Sequence, residues 1–307
     1  MSVFTTVNPH DLKPWLRARG IHRLDRLRGI SGGAVNTNYW VDTEQGPWVL
    51  TLVEDRPASA VRPVLALMQA LADAGLPVPE VRAADDGDTL GSLYGKPATL
   101  VRALPGSHPE MTTDEAFQAG VFLAQLHAQR PDIDPIALNF GPDWQQARGA
   151  YWLDRLSTED AELLRRTLAT TAEVWSHRWP TAWVHADLFP DNVLIHQGQL
   201  TAVIDWYFAS RGPRIWDLAV ALNAWGGSEP LSTGRCQPLW EGYGTQLTLT
   251  EAEVAALPAM RQSAALRFWL SRLDASVVSI GADGGQITVK SPAEYRQLLL
   301  ELTLKDK

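Results

Sequence analysis

The chain has 307 residues, 45% hydrophobic and 20% charged, enough apolar material for one large core or two modest ones. Its net charge of −8, without any Lys/Arg block, argues against a nucleic-acid binder, and its single cysteine, Cys236, excludes an intramolecular disulfide framework and a cysteine-based zinc cluster. No apolar run approaches the ~20 residues needed to span a bilayer, and Met1–Val7 has no basic region leading into an apolar stretch, so a cytoplasmic protein without a membrane partner is expected.

Asn8 to Arg19 reads as a short amphipathic helix ending at Gly20. From Leu24 to Leu104 the pattern is mostly strand-like. Val35–Val41 and Trp48–Val53 flank a Glu-Gln-Gly-Pro turn, which predicts a hairpin. Ser59 to Ala74 predicts a helix, with Val61, Val64, Leu65, Met68, Leu71 and Ala72 on one face. Val81–Ala83, a turn at Asp85–Gly87 and Ala98–Leu104 complete a small antiparallel sheet. Beyond Pro105-Gly106 the period becomes helical. Thr112-x-x-Glu115 is a capping-box pattern before a helix carrying Phe117, Val121 and Ala124, and Ser157–Trp175 is a second helix. Short strands at Thr181–Val184, Val193–Ile195 and Leu200–Ile204 follow. Helices then run over Pro213–Trp225, Arg235–Tyr243, Thr250–Ala275 and Ser291–Leu302, the last opened by Ser291-Pro-Ala-Glu294. Most of the 13 tryptophans lie in apolar segments, which favours core filling over an aromatic ligand site. The fold class expected is α+β in two lobes: a small antiparallel β lobe over residues 1–104 and a larger, mainly α lobe over 105–307.

The polar residues of the short-strand region carry chemistry. His185-x-Asp187-x-x-x-x-Asn192, followed by an apolar strand ending at Asp205, supplies two carboxylates and an amide. Asp187 can orient and deprotonate an acceptor hydroxyl. Asn192 and Asp205 can hold Mg²⁺, which takes one or two carboxylates plus phosphate oxygens. The set suits transfer of the terminal phosphoryl group of a Mg-nucleotide, ATP, to a small-molecule alcohol. His185 reads as a packing residue of the loop and Asp191 as a turn residue. Asp217 opens a helix, favoured there by the dipole alone or bracing the catalytic loop. Gly29 to Tyr39 contains Gly32, Gly33, Asn36 and Asn38; its backbone N–H groups could cover phosphates, or the glycines could simply serve a hairpin.

This arrangement resembles the aminoglycoside phosphotransferase-like kinases, a protein-kinase-like fold. Within them the chain is similar to the homoserine kinase branch through Asn36-Thr-Asn-Tyr39, Val49-Leu-Thr-Leu52, His185 to Leu194, Tyr207-Phe-Ala209, Asp217 to Trp225 and Ala265 to Leu273. The resemblance implies ATP- and Mg²⁺-dependent phosphorylation of the L-homoserine hydroxyl, a step toward threonine, with Asp187 as base and Asn192 and Asp205 at the metal. Other amino alcohols, choline or an aminoglycoside are the alternative acceptors, and a nucleotide-binding pseudokinase is the rival class. Gly32, Gly33, Asn36, Thr51, Val101 and Arg102 are expected at the nucleotide; Asn38, Trp206, Tyr207, Arg267 and Arg272 at the acceptor. The arginines could fork onto an acceptor carboxylate or lie on a helix surface; Trp206, Tyr207 and Trp225 could shape a pocket or fill the core. Three departures from the family pattern stand out. Thr51 occupies the position of the usual phosphate-gripping Lys, so Arg56 or Arg62 is expected to supply that cation. Ala186 stands where Gly is usual, and Ala34-Val35 replaces an Ile-Glu pair.

Overall fold

The computed structural model describes residues 5–30, 35–278 and 290–305. The chain divides into two compact units: one holds the described residues up to Pro105 together with Pro131–Asp134, the other holds Gly106–Arg130 and the described residues from Pro135 onward.

In the first unit Asn8 caps helix α1 (Pro9–Arg17) by accepting the His10 N–H, and Pro9 starts the helix where no N–H is needed. Strands β1 (Leu24–Gly29), β2 (Thr37–Thr43), β3 (Gly46–Leu52), β4 (Gly91–Leu93) and β5 (Lys96–Arg102) form an antiparallel sheet in the order β1-β2-β3-β5-β4, with helix α2 (Ala58–Asp73) inserted after β3. The pleat gives this sheet two faces. Tyr39, Val41, Trp48, Leu50, Leu52 and Leu100 join Leu12 and Leu16 of α1 in one buried cluster. The register pairs Asn38 with Thr51, Thr51 with Thr99, and Val49 with Val101 on the opposite face.

Two expectations change here. Val81–Ala83 makes only an isolated bridge at Val81, because Pro77 and Pro79 deny the approach donors for a ladder. Instead the short strand β4 completes the sheet. It turns back through Tyr94-Gly95, both left-handed, the backbone that a two-residue hairpin requires.

The second unit contains α3 (Thr113–Ala128), α4 (Pro142–Leu153), α5 (Thr158–Trp175), β6 (Thr181–Val184), β7 (Val193–His196), β8 (Gln199–Val203), β9 (Ser210–Pro213), α6 (Arg214–Gly226), α7 (Cys236–Gly244), α8 (Glu251–Val278) and α9 (Pro292–Lys305). The Thr112/Glu115 capping box forms as predicted. Helices α3 and α7 pack together at Gly120 and Gly242, where a Cβ would stand 2.0 Å from the Leu239 carbonyl oxygen and 2.1 Å from that of Phe117. Trp206, Trp216, Trp225 and Trp269 are fully buried, so core filling accounts for them.

Helix α4 and strand β9 escape sequence reading. The face that α4 buries is Gln145, Gly149 and Trp152, which lacks an apolar period. Ser-Arg-Gly-Pro has poor strand propensity and is extended because it pairs with β6.

Candidate active site

The hairpin β7–β8 assembles the proposed metal ligands. Val193 pairs with Val203, and the Ile204 N–H donates to the Asn192 carbonyl at 2.9 Å. Asn192 therefore enters the hairpin beside the point where the chain leaves it toward Asp205. Asp205 is exposed and left-handed, a backbone that Asp tolerates better than most residues.

Asp187 sits on the loop leaving β6. Asn192 Nδ2 donates to the Asp187 carbonyl at 2.8 Å and to Asp187 Oδ2 at 3.1 Å. The amide nitrogen is thus engaged, and Oδ1 is the atom left to meet a cation. The other carboxylate oxygen of Asp187 faces Arg267 Nη1 at 3.4 Å.

The loop is held from behind by Asp217 of α6. One oxygen of this fully buried carboxylate accepts the His185 N–H at 2.8 Å and lies 3.1 Å from His127 Nε2; the other accepts the Ala186 N–H at 2.7 Å. Of the two readings open in the sequence, bracing the loop is the one realised. His185 is buried, its Nε2 lies 3.1 Å from the Ile204 carbonyl, and its ring packs edge-on against Trp206 at 4.8 Å. Burial pushes its pKa down, so the ring is neutral and structural.

Ala186 is left-handed at φ 64° and buried. That backbone costs a non-glycine residue roughly 1–2 kcal/mol. Against this, the buried methyl contributes roughly 0.8 kcal/mol, and alanine has roughly 0.4–1 kcal/mol less chain entropy to lose than glycine. The effects nearly offset, which explains why alanine is accommodated. Ala186→Gly is expected to change urea-denaturation stability by less than about 1 kcal/mol; a loss beyond about 2 kcal/mol would show that the methyl has a packing role outweighing the backbone strain.

The residues expected at the acceptor take different places in the second unit. Trp206 is a core residue: its ring contacts His185 and Phe122, and its Nε1 donates to the Val203 carbonyl at 2.8 Å. Trp225, also buried, props the loop after β6 by donating to the Leu188 carbonyl at 3.1 Å. Tyr207 is half-buried in the short 3₁₀ turn after Asp205. Arg267 is not a surface arginine. It is buried among the rings of Phe140, Phe208 and Phe268, at 4.4, 5.0 and 3.7 Å from their centroids, and it faces Asp187. Arg272 lies over the Tyr295 ring and donates from Nη1 to Glu294 at 2.6 Å.

In the first unit Thr51 donates to Asn38 Oδ1 at 2.7 Å, and Asn36 Oδ1 accepts the Glu54 N–H at 3.3 Å. Gly32 and Gly33 lie outside the described residues. Adjacent strand residues point to opposite faces, so the side chains of Val101 and Arg102 lie on different sides of the sheet. Val101 shares the face of Thr51 and Asn38. Arg102 is on the other, 3.8 Å from the Trp48 ring centroid and donating to the Gln45 carbonyl at 2.7 Å. Of the cations expected to replace the missing Lys, Arg62 is gripped by both oxygens of Asp88, and Arg56 lies 3.9 Å from Asp55. Sequence reading missed Lys96, which pairs with Glu54 at the start of β5. Burial alone would push the Glu54 carboxyl up; hydrogen bonds from Lys96, Thr37 and Thr5 outweigh it and leave the group below its usual range.

Among the described residues no group of three or more His, Cys, Asp or Glu could hold a metal. The Asn192 amide oxygen and the Asp205 carboxylate instead form the partial set that suits Mg²⁺ when phosphate oxygens and water complete the shell. No helix of the described residues is long and apolar enough to cross a membrane.

The chain is similar over nearly its whole length to two proteins named homoserine kinase. That of Methylobacillus flagellatus is 35% identical, with 97% of this chain and 94% of the relative covered. That of Pseudomonas aeruginosa is 36% identical, with 98% and 96% covered. A solved structure of spectinomycin phosphotransferase in complex with ADP and spectinomycin superposes with a TM-score of 0.72 at 15% identity, covering 98% of this chain and 99% of that one. An amicoumacin kinase in complex with AMP-PNP and Ca²⁺ gives 0.70 at 14% identity, with 95% and 92% covered. The fold is therefore the two-lobed kinase-like α+β fold. Residues 26–277, which run from within β1 through most of α8 and hold all three polar groups of the loop and hairpin, match the phosphotransferase enzyme family, and the chain belongs to it.

Proposed function

We propose that this enzyme transfers the γ-phosphoryl group of ATP to the side-chain hydroxyl of L-homoserine. One observation carries the reading: Asp187, tied to Asn192 and one hairpin away from Asp205, in a chain that is similar to a homoserine kinase over 97% of its length. Asp187 accepts the hydroxyl hydrogen bond, aims the oxygen lone pair at the γ-phosphorus and takes the proton as the bond forms. Asn192 keeps that carboxylate oriented through Nδ2 and offers Oδ1 to the cation; Asp205 supplies the charged ligand. Mg²⁺ held by these groups would neutralise charge on the phosphoryl oxygens. Residues 1–104 are the nucleotide lobe in this reading and 105–307 the catalytic and acceptor lobe. Asn36, Asn38, Thr51 and Val101 serve the nucleotide or acceptor from the first. The enzyme works in the cytoplasm, where ATP is supplied.

A coupled ADP-release assay tests this. L-homoserine should exceed choline, ethanolamine and aminoglycosides in kcat/KM by about 100-fold or more; equal or better turnover of any of these would overturn the acceptor assignment. Asp205→Ala should remove the effect of Mg²⁺ on nucleotide affinity in calorimetric titrations. Unchanged magnesium linkage would count against its role.

A further inference from the structure

The second unit contains a pocket of about 460 Å³, within the range of small-ligand sites. Its walls come from α6, α8 and α9 and from Phe189, two residues beyond Asp187. It contains two opposite charges with unspent hydrogen-bonding capacity. Arg272 is more than nine-tenths buried, its guanidinium 4.4 Å from the Tyr295 ring centroid. Its Nη1 donates to the Ser291 carbonyl at 3.0 Å and to Glu294 Oε2 at 2.6 Å. Among the described residues these bonds leave the Nε and Nη2 edge unused, the pair of donors that a carboxylate takes as a fork. Glu294 uses only Oε2 on Arg272, so Oε1 remains to accept from an ammonium. The other carboxylate of the wall, Glu301, is already bonded at both oxygens, by Ser228 and Gln297.

A simple anion here would satisfy Arg272 and leave Glu294 facing it, and a simple cation would do the reverse. A free α-amino acid meets both. A series of packed side chains runs from the pocket wall to Asp187. Phe189 packs on Phe268 at 4.8 Å, Phe268 lies 3.7 Å beneath the Arg267 guanidinium, and Arg267 reaches Asp187. The part of the chain matching the phosphotransferase family ends at residue 277, so Lys290 and the whole α9 wall lie beyond the shared chemistry. That is where acceptor selection would be expected.

We propose that this pocket selects the acceptor by its amino-acid end, with Arg272 binding the α-carboxylate and Glu294 the α-ammonium, the side-chain hydroxyl extending past Phe189 toward Asp187. The proposal rests on the amino-acid reading of the acceptor. Its test compares Arg272→Lys, which keeps the charge but loses the fork, and Glu294→Gln, a substitution at a largely exposed side chain that the fold should tolerate. Acceptors are L-homoserine, 3-aminopropan-1-ol (no carboxylate) and 4-hydroxybutanoate (no ammonium). Arg272→Lys should raise KM for L-homoserine about 10- to 100-fold, and Glu294→Gln about 10-fold, with nucleotide affinity retained. Arg272→Lys should cause no further loss with 3-aminopropan-1-ol, nor Glu294→Gln with 4-hydroxybutanoate. If wild-type enzyme phosphorylates L-homoserine and both variants keep its KM, the pocket assignment fails while the function stands. If the wild type neither binds nor phosphorylates L-homoserine, the functional reading fails and the acceptor assignment with it.

Discussion

Asp187→Asn is expected to lower kcat by about 10²–10⁴-fold, the usual contribution of a positioned general base. Asparagine keeps the shape of the side chain and can still meet Asn192 and Arg267, but it cannot take the acceptor proton. Nucleotide affinity and thermal stability should stay near wild type, because Asp187 is a loop residue whose loop is anchored by Asp217 and by the Asn192 bond to its carbonyl. Steady-state kinetics with a parallel nucleotide titration separates these effects. A variant retaining more than about a tenth of wild-type kcat would remove Asp187 from the base role.

The second large effect is on the fold. Asp217→Ala removes the acceptor shared by His185 N–H, Ala186 N–H and the His127 ring, all buried. Each stranded donor costs about 1–3 kcal/mol. His127 also keeps its contact with the Tyr243 hydroxyl at 2.9 Å, which reduces its share. A destabilisation of about 3–5 kcal/mol in urea unfolding is expected, with Asp217→Asn recovering part of it because one carbonyl oxygen remains. Activity should fall alongside, since the displaced loop carries Asp187. A loss below about 1 kcal/mol would mean that water or another acceptor satisfies the loop, and that Asp217 is not its brace.

Those two residues also mark what the sequence makes legible. The short strands that flank Asp187, Asn192 and Asp205 could be read because their apolar runs and the polar breaks between them are local features. The capped helix starts at Asn8 and Thr112 were readable for the same reason: a cap is a bond between near neighbours. Roles set by distant partners were not. Arg267 faces Asp187 because Phe140, Phe208 and Phe268, from separate parts of the chain, surround it. Arg102 was grouped with Val101 although strand alternation puts them on opposite faces. Helix α4 buries Gln145, which bonds Ser263 of α8 at 3.0 Å, so its inward face carries a polar signal that periodicity reads as exposed. Asp217 was half-legible: its place at a helix start was visible, but the donors it serves lie 31 residues or more earlier in the chain.

The most direct test of the account follows phosphorus itself. Wild-type enzyme, ATP, Mg²⁺ and L-homoserine, monitored by ³¹P NMR, should convert the γ-phosphoryl signal into a phosphate monoester on the homoserine side-chain oxygen, one equivalent per ADP formed, and the Asp187→Asn enzyme should show almost none. ATP consumed only to inorganic phosphate, or no consumption with L-homoserine at saturating Mg²⁺, would contradict it.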